Sequence, residues 1–196
     1  MVGIPLEATE IKRQNITDVS GKILSRVETK YDNLLMLLPT SVVSYGLQNN
    51  TPLTEVTYDK YDSKGNLQQY TTKEGISTVI IWGYNNTQPI AKIENAKLTD
   101  IQQSLITALV SASDTDAAAV PNNDETALLN AFKNFKNSLS GYQITTYSYD
   151  PLIGVRSITP PSGITEYYLY DSANRLEKVV DVNGKVLKEM KYHYKN

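Results

Sequence analysis

Turn signals recur about every ten residues in two parts of this chain, and this spacing restricts the fold more than any other feature. Gly65 and Gly75 are one such interval apart, and Asn174 and Gly184 are another. The runs between the turns are about six residues long, which is a common strand length. Short strands joined by tight turns form antiparallel hairpins. The spacing therefore predicts a mainly β chain of consecutive antiparallel β-hairpins.

Tyrosine-aspartate pairs stand at several of these turns. A tyrosine at the end of a strand can pack on the neighbouring strand, and an aspartate that opens a turn can accept hydrogen bonds from the turn amides. The sequence 18–24 is also echoed by the sequence 181–187. We interpret these similarities as an internal repeat, with pairs at Tyr31-Asp32, Tyr58-Asp59, Tyr61-Asp62, Tyr149-Asp150 and Tyr170-Asp171.

Residues 97–140 have a different pattern, in which apolar side chains recur at helical spacing. Thr99 with Gln102 indicates a capping box, and Asn122 with Glu125 indicates a second helix start. The segment therefore predicts an inserted α-helical hairpin with two apolar stripes, Ile101/Leu105/Ala108/Leu109/Ala112 and Leu128/Phe132/Phe135/Leu139.

The chain thus divides into three predicted segments. We expect β-hairpin repeats over 1–96, the helical hairpin over 97–141, and β-hairpin repeats that continue the same sheet over 142–196. Because insertions between strands are commonly tolerated, the pattern also predicts that the sheet folds after the helices are excised.

Composition excludes several kinds of chemistry. The chain has no cysteine and one histidine, His193, which excludes thiolate catalysis and a multi-histidine zinc site within it. A net charge of -2 provides no field that would attract nucleic acid. The longest apolar run, Leu34–Leu38, is too short to span a bilayer. We therefore expect no enzyme activity, no cofactor, no metal, no nucleic-acid partner and no membrane insertion.

Two groups of residues are candidates for a binding or metal site. Trp82 and Tyr84 lie two apart in a predicted strand and could form a surface on which a sugar stacks, although ordinary sheet packing also explains them. Asp114 and Asp116 could offer oxygen ligands to calcium together with 122–124, but the EF-hand spacing is absent and a solvated acidic loop is favoured.

A third group is the aspartates at the predicted turns, which could be imagined as glycosidase carboxylates. Asp150, Asp171 and Asp181 all have turn roles, however, and nothing in the sequence fixes a pair at catalytic distance. We therefore expect these three side chains to be structural.

The clearest motifs are the stretches 61–67 and 170–176, with 149–155 as a looser copy. They resemble the repeat of the YD-repeat (Rhs-type) family of bacterial proteins. The stretches 80–85 and 158–163 are similar to sequences near the C-terminal end of large members. The resemblance covers residues 54–94 and 142–196, and its motif residues are Tyr61, Asp62, Gly65, Tyr149, Asp150, Gly154, Tyr170, Asp171 and Asn174.

The resemblance implies β-hairpins that extend into a sheet or shell, in proteins that are commonly exported and sometimes enclose or present a toxin. The expected function is a non-enzymatic structural segment of a large secreted or cell-surface protein, whose export signal lies outside this chain. A module that binds a glycan or a protein through exposed tyrosine and tryptophan is the alternative. One departure is that Asp150-Pro151 lacks the second Asp-Pro of the family's self-cleaving aspartyl pair.

The ends of the sheet suggest partners. Lysines at 188, 191 and 195 are the kind of charge that guards a strand edge, whereas the N-terminal residues show no such guard. We expect an open edge near the N-terminus that pairs with further repeats of a parent chain, with a component of an export or surface complex, or with another copy. The alternative is that a loop folds over this edge and the chain is a monomer.

Overall fold

The computed structural model describes residues 6–13, 15, 17, 21–33, 37–118 and 125–193. The chain divides into two compact units, Met1–Ser77 and Thr78–Asn196. The described residues contain twelve strands, and strand pairing within each unit is antiparallel between strands that are consecutive in the sequence. This confirms the predicted fold class, a mainly β antiparallel hairpin sheet with an inserted helical hairpin. The three-segment division stays a prediction.

The first unit contains the first five strands. Each of the first four pairs with the strand that follows it in the sequence. The strands are β1 (Glu7–Lys12), β2 (Lys22–Lys30), β3 (Ser41–Tyr45), β4 (Pro52–Tyr61) and β5 (Leu67–Thr72).

The remaining strands and both helices follow. The helices, α1 (Gln103–Ala118) and α2 (Thr126–Ser138), lie between the seventh and eighth strands, which still pair with each other from Ala91↔Thr146 to Glu94↔Gln143. The insertion therefore leaves the order of strand pairing unchanged. The strands are β6 (Ser77–Gly83), β7 (Gln88–Glu94), β8 (Gln143–Asp150), β9 (Gly154–Thr159), β10 (Glu166–Tyr170), β11 (Leu176–Val180) and β12 (Val186–Glu189).

The start of the helical segment differs from the predicted capping box. A 3₁₀ turn spans Leu98–Asp100, the Lys97 N–H donates to the Asp100 carboxylate at 2.8 Å, and α1 begins at Gln103. Asp100 thus closes the turn that was assigned to Thr99, because its carboxylate is the better acceptor. None of the helices in the described residues is long and apolar enough to cross a membrane.

The core of the second unit is shared between the helices and the sheet. Fully buried side chains of α1 and α2 pack against buried aliphatic side chains of β6, β7 and β8. This packing argues against the prediction that the helices can be excised, because their removal would expose the sheet side of the core. The principal members are Val79, Ile81, Ile90, Ile93 and Ile144 from the strands and Leu109, Leu128, Phe132 and Phe135 from the helices.

The first unit is built differently. Among its described residues, Val43 is the one apolar side chain that is buried. All six residues of β1 are exposed, on both faces of the strand. Hydrogen bonds and strand register, more than apolar burial, therefore hold the described part of this unit together.

Candidate functional site

The aspartate of the repeat motif caps its turn in three places. At each, the Oδ1 atom accepts hydrogen bonds from the backbone N–H groups two and four residues later, at distances of 2.8–3.0 Å. Burial raises the pKa of Asp62, but hydrogen bonds from Asn66, Lys64 and Gly65 together outweigh this effect and hold the pKa below its usual value. The Arg175 guanidinium, 2.6 Å from the carboxylate, lowers the pKa of Asp171. These structural carboxylates are Asp62, Asp171 and Asp181.

The same three turns share their backbone conformation. The third residue after the aspartate has a left-handed φ, 87° at Gly65, 58° at Asn174 and 77° at Gly184. Its N–H also donates to the aspartate carbonyl at 2.9–3.1 Å. This is a type I turn followed by a left-handed residue, a common hairpin connection. It explains why the motif has glycine or asparagine at this position, since both tolerate the left-handed region.

The tyrosine of the motif joins two adjacent strands. In each case the tyrosine lies near the end of a strand or just beyond it, and its hydroxyl donates to a backbone carbonyl near the start of the preceding strand. Tyr192 makes the same contact but was missed from the sequence, because no aspartate follows it. The four contacts are Tyr61 to Pro39 at 2.8 Å, and Tyr149 to Pro89, Tyr170 to Val155 and Tyr192 to Leu176, each at 2.9 Å.

Gly154 makes one of these contacts feasible. A Cβ atom at this position would lie 2.4 Å from the hydroxyl and 2.9 Å from the Cζ atom of Tyr170. The missing side chain of Gly154 therefore leaves the space through which Tyr170 reaches the Val155 carbonyl.

Asp150 departs from the pattern of the other motif aspartates. Its turn has Pro151 in second position and Leu152 with φ 70° in third position, and the Ile153 N–H donates to the Asp150 carbonyl at 3.0 Å. Those are features of a type II turn, in which the middle peptide is flipped relative to type I. Within the part of the chain that the structure describes, no hydrogen bond reaches the Asp150 carboxylate.

The structure separates the two predicted ligand-contact residues. Trp82 is half-buried in β6, and its role in binding stays a prediction. Tyr84 is 4% exposed, so its ring offers no surface to a sugar and ordinary packing explains this residue. Its φ of 51° ends the strand alternation, and its ring packs edge-on against Tyr149 in the core with the centroids 5.5 Å apart.

Helix α1 holds Tyr84 in place. The Tyr84 hydroxyl donates to Asp116 Oδ2 at 2.7 Å and accepts from the Tyr149 N–H at 2.9 Å. The Asn85 N–H donates to Asp114 Oδ1 at 2.7 Å. Burial raises the pKa of Tyr84, so it stays a neutral donor, and burial raises the pKa of Tyr149 to about 12. The prediction that Asp114 and Asp116 lie in a solvated loop is wrong, because both belong to α1.

A second buried carboxylate lies at the start of α2. Glu125 has a 4% exposed side chain and forms an ion pair with Arg156 of β9 at 3.1 Å. Burial raises the pKa of Glu125, against the lowering effects of a hydrogen bond from Ser148 and the charge of Arg156. The sequence assigned Glu125 only to a helix cap, because its partner is distant in the chain.

A cleft of about 660 Å³ in the second unit brings these groups together. Its walls come from the start of α2, the β8–β9 turn, strands β9, β10 and β11, and the β10–β11 and β11–β12 turns. The aspartates named from the sequence as turn residues, Asp150, Asp171 and Asp181, all line it, together with Glu125. In the described ranges, no three histidine, cysteine or acidic side chains are grouped to hold a metal, and residues 122–124 lie outside those ranges.

No known protein family and no curated protein matches the chain. Among solved structures, a chain in the crystal structure of TcdB2-TccC3 without its hypervariable C-terminal region is similar, with 10% sequence identity and a TM-score of 0.21. The match covers 95% of this chain and 12% of that chain, so the chain spans a small part of the structure it matches. A similarity at this TM-score does not define a shared fold.

Proposed function

We propose that the chain is a structural β-hairpin repeat segment of a larger secreted or cell-surface protein, in which it acts as scaffold or shell. The observation that carries the proposal is the recurrence of one hydrogen-bonded unit. A tyrosine hydroxyl joins a strand to the preceding strand, as in Tyr61 and Tyr170, and the following aspartate caps the turn into the next strand. A unit of this kind can be added along a chain, because each copy contacts only its neighbours.

A non-enzymatic role agrees with how the polar side chains are used. Asp62, Asp171 and Asp181 accept hydrogen bonds from turn amides, and Glu125 pairs with Arg156. The one histidine, His193, is exposed and lies beyond the last described strand. The structural roles of these groups leave few side chains for acid-base chemistry.

The ends of the two units suggest the partners. Among the described strands, β1 pairs with β2 alone and β12 with β11 alone, so each has one side without a strand. All residues of both strands are exposed. We propose that one such side pairs with further repeats of a parent chain or with a component of an export or surface complex by strand addition.

The test is to find the native protein in its source cells with an antibody raised against this chain. The proposal predicts a band much larger than 21.9 kDa in the culture supernatant or on the cell surface, where added protease removes it from intact cells. A band of 21.9 kDa that is confined to the cytosol and protected from protease would refute the proposal.

A further inference from the structure

The cleft beside Asp150 has the size and lining of a small-molecule site. Its volume of about 660 Å³ falls within the usual range for ligand pockets of about 300–1,000 Å³. Apolar side chains of Leu129 and Val180 and the tyrosines of β10 line it beside polar groups. Ligand sites commonly combine an apolar or aromatic wall with a few convergent polar groups.

Two polar groups of this cleft have no structural task. The Asp150 carboxylate accepts no hydrogen bond, and the Tyr167 hydroxyl makes none, among the residues that the structure describes. The neighbouring groups differ, since the Asp171 and Asp181 carboxylates cap turns and the Tyr170 hydroxyl donates to Val155. In the other copies of the repeat the aspartate carboxylate accepts hydrogen bonds from its turn. The type II turn at 150–153 does not use the Asp150 carboxylate in this way.

The chemistry of these groups selects a ligand class. An ionised carboxylate only accepts hydrogen bonds, a phenol donates or accepts, and the Asn174 amide in the same cleft does both. A ligand with several hydroxyl groups can satisfy all three, and its C–H faces can pack on tyrosine rings. The cleft carboxylates outnumber its one arginine, Arg156, so an anionic ligand is repelled.

We propose that this cleft binds a neutral carbohydrate of monosaccharide or disaccharide size, with Asp150 and Tyr167 as hydrogen-bonding residues. The scaffold role does not require this site, and the site does not require a parent chain. The binding surface differs from the pair Trp82 and Tyr84 considered from the sequence.

The experiment measures binding to the 196-residue chain by saturation-transfer difference NMR. The probes are maltose, lactose, cellobiose and diacetylchitobiose, with sialyllactose as the anionic and spermidine as the cationic comparison. Asp150→Asn and Tyr167→Phe change the polar atoms with little change in shape. Tyr147→Phe is the matched control, because Tyr147 lies on β8 outside the lining of the cleft. Circular dichroism confirms that each variant is folded.

We expect at least one neutral disaccharide to bind, and both cleft variants to weaken it about five- to tenfold, as the loss of one hydrogen bond does. Tyr147→Phe should leave binding unchanged. Four results would each overturn the proposal. They are that no sugar binds, that spermidine binds and no neutral sugar does, that sialyllactose binds as well as the neutral sugars, and that the control loses as much binding as the cleft variants. None of these results bears on the size and location of the native protein, so the scaffold proposal is tested separately.

Discussion

Replacing Gly154 with alanine should break the contact between β9 and the tyrosine at the end of β10. The new Cβ atom would lie 2.4 Å from the Tyr170 hydroxyl, closer than non-bonded atoms can approach, so the ring must move. Movement of the ring loses the hydrogen bond to the Val155 carbonyl, which is worth about 1 kcal/mol. Overpacking adds about 1–3 kcal/mol. We therefore expect the free energy of unfolding to fall by about 2–4 kcal/mol.

The measurement is urea unfolding followed by the fluorescence of Trp82, the single tryptophan of the chain, which lies in the second unit. Gly141→Ala is the matched control, because a Cβ there would meet no atom within 4 Å, and it should change stability by less than about 0.5 kcal/mol. Tyr170→Phe alone should lose about 1 kcal/mol. The double variant should be about 1 kcal/mol more stable than the sum predicts, because both changes remove the same hydrogen bond.

Two results would refute this reasoning. If Gly154→Ala is no more destabilising than Gly141→Ala, the hydrogen bond from Tyr170 to the Val155 carbonyl does not contribute to stability. If the losses in free energy of unfolding for Gly154→Ala and Tyr170→Phe are additive, then the loss at Gly154 arises from its own backbone. The clash with the tyrosine is then not the cause.

Three further predictions concern the second unit. Phe135→Ala should lower the free energy of unfolding by about 3–5 kcal/mol, measured by urea unfolding, and a loss under about 1 kcal/mol would mean that the helices are not integral to the core. In the same measurement, Asp181→Ala should lower the free energy of unfolding by about 1 kcal/mol and Asp150→Ala by under about 0.5 kcal/mol, because of these two carboxylates Asp181 alone accepts hydrogen bonds from its turn. Equal losses would contradict this assignment. Because the pKa of Glu125 is raised in the folded protein, its protonated form adds stability. This contribution is fully present below pH 4.5, the ordinary pKa, and is lost as the pH rises through the raised pKa. Glu125→Gln should remove that decline from unfolding curves measured over a pH series, and an unchanged pH dependence would exclude Glu125 as its source.

The strands could be predicted from the sequence because their signals are local. The turn at Asp62 needs only the aspartate, its own amides and a left-handed residue three positions later, all within one short segment. The turn at Asp171 repeats this arrangement with asparagine in the left-handed position. A hairpin whose turn is fixed also has a fixed register, so strand order follows from turn spacing.

The polar contacts of the second unit could not be predicted because they join residues distant in the sequence. Asp116 of α1 meets Tyr84, which follows β6, and Glu125 at the start of α2 meets Arg156 of β9. An acidic residue in a polar stretch is usually solvated, so composition favoured a loop at Asp116. The face that Tyr84 occupies could not be predicted because its left-handed φ breaks the alternation on which such predictions depend. The cleft could not be predicted from the turns alone, because it is formed by local turn residues together with α2, whose position depends on contacts that are distant in the sequence.

The two units contain the same motif in different surroundings, and this comparison identifies what the motif does. In the second unit, β8 lies under helices and its tyrosine, Tyr149, belongs to a large core. In the first unit, Tyr61 makes the same hydrogen bond to the preceding strand where Val43 is the one buried apolar side chain among the described residues. A contact that persists without a core cannot depend on the core for its geometry. The tyrosine and aspartate therefore specify register and turn on their own, while the helices add apolar burial to the second unit alone. At Asp150 a type II turn with its own backbone hydrogen bond replaces the aspartate contact, and the adjoining strands β8 and β9 still pair.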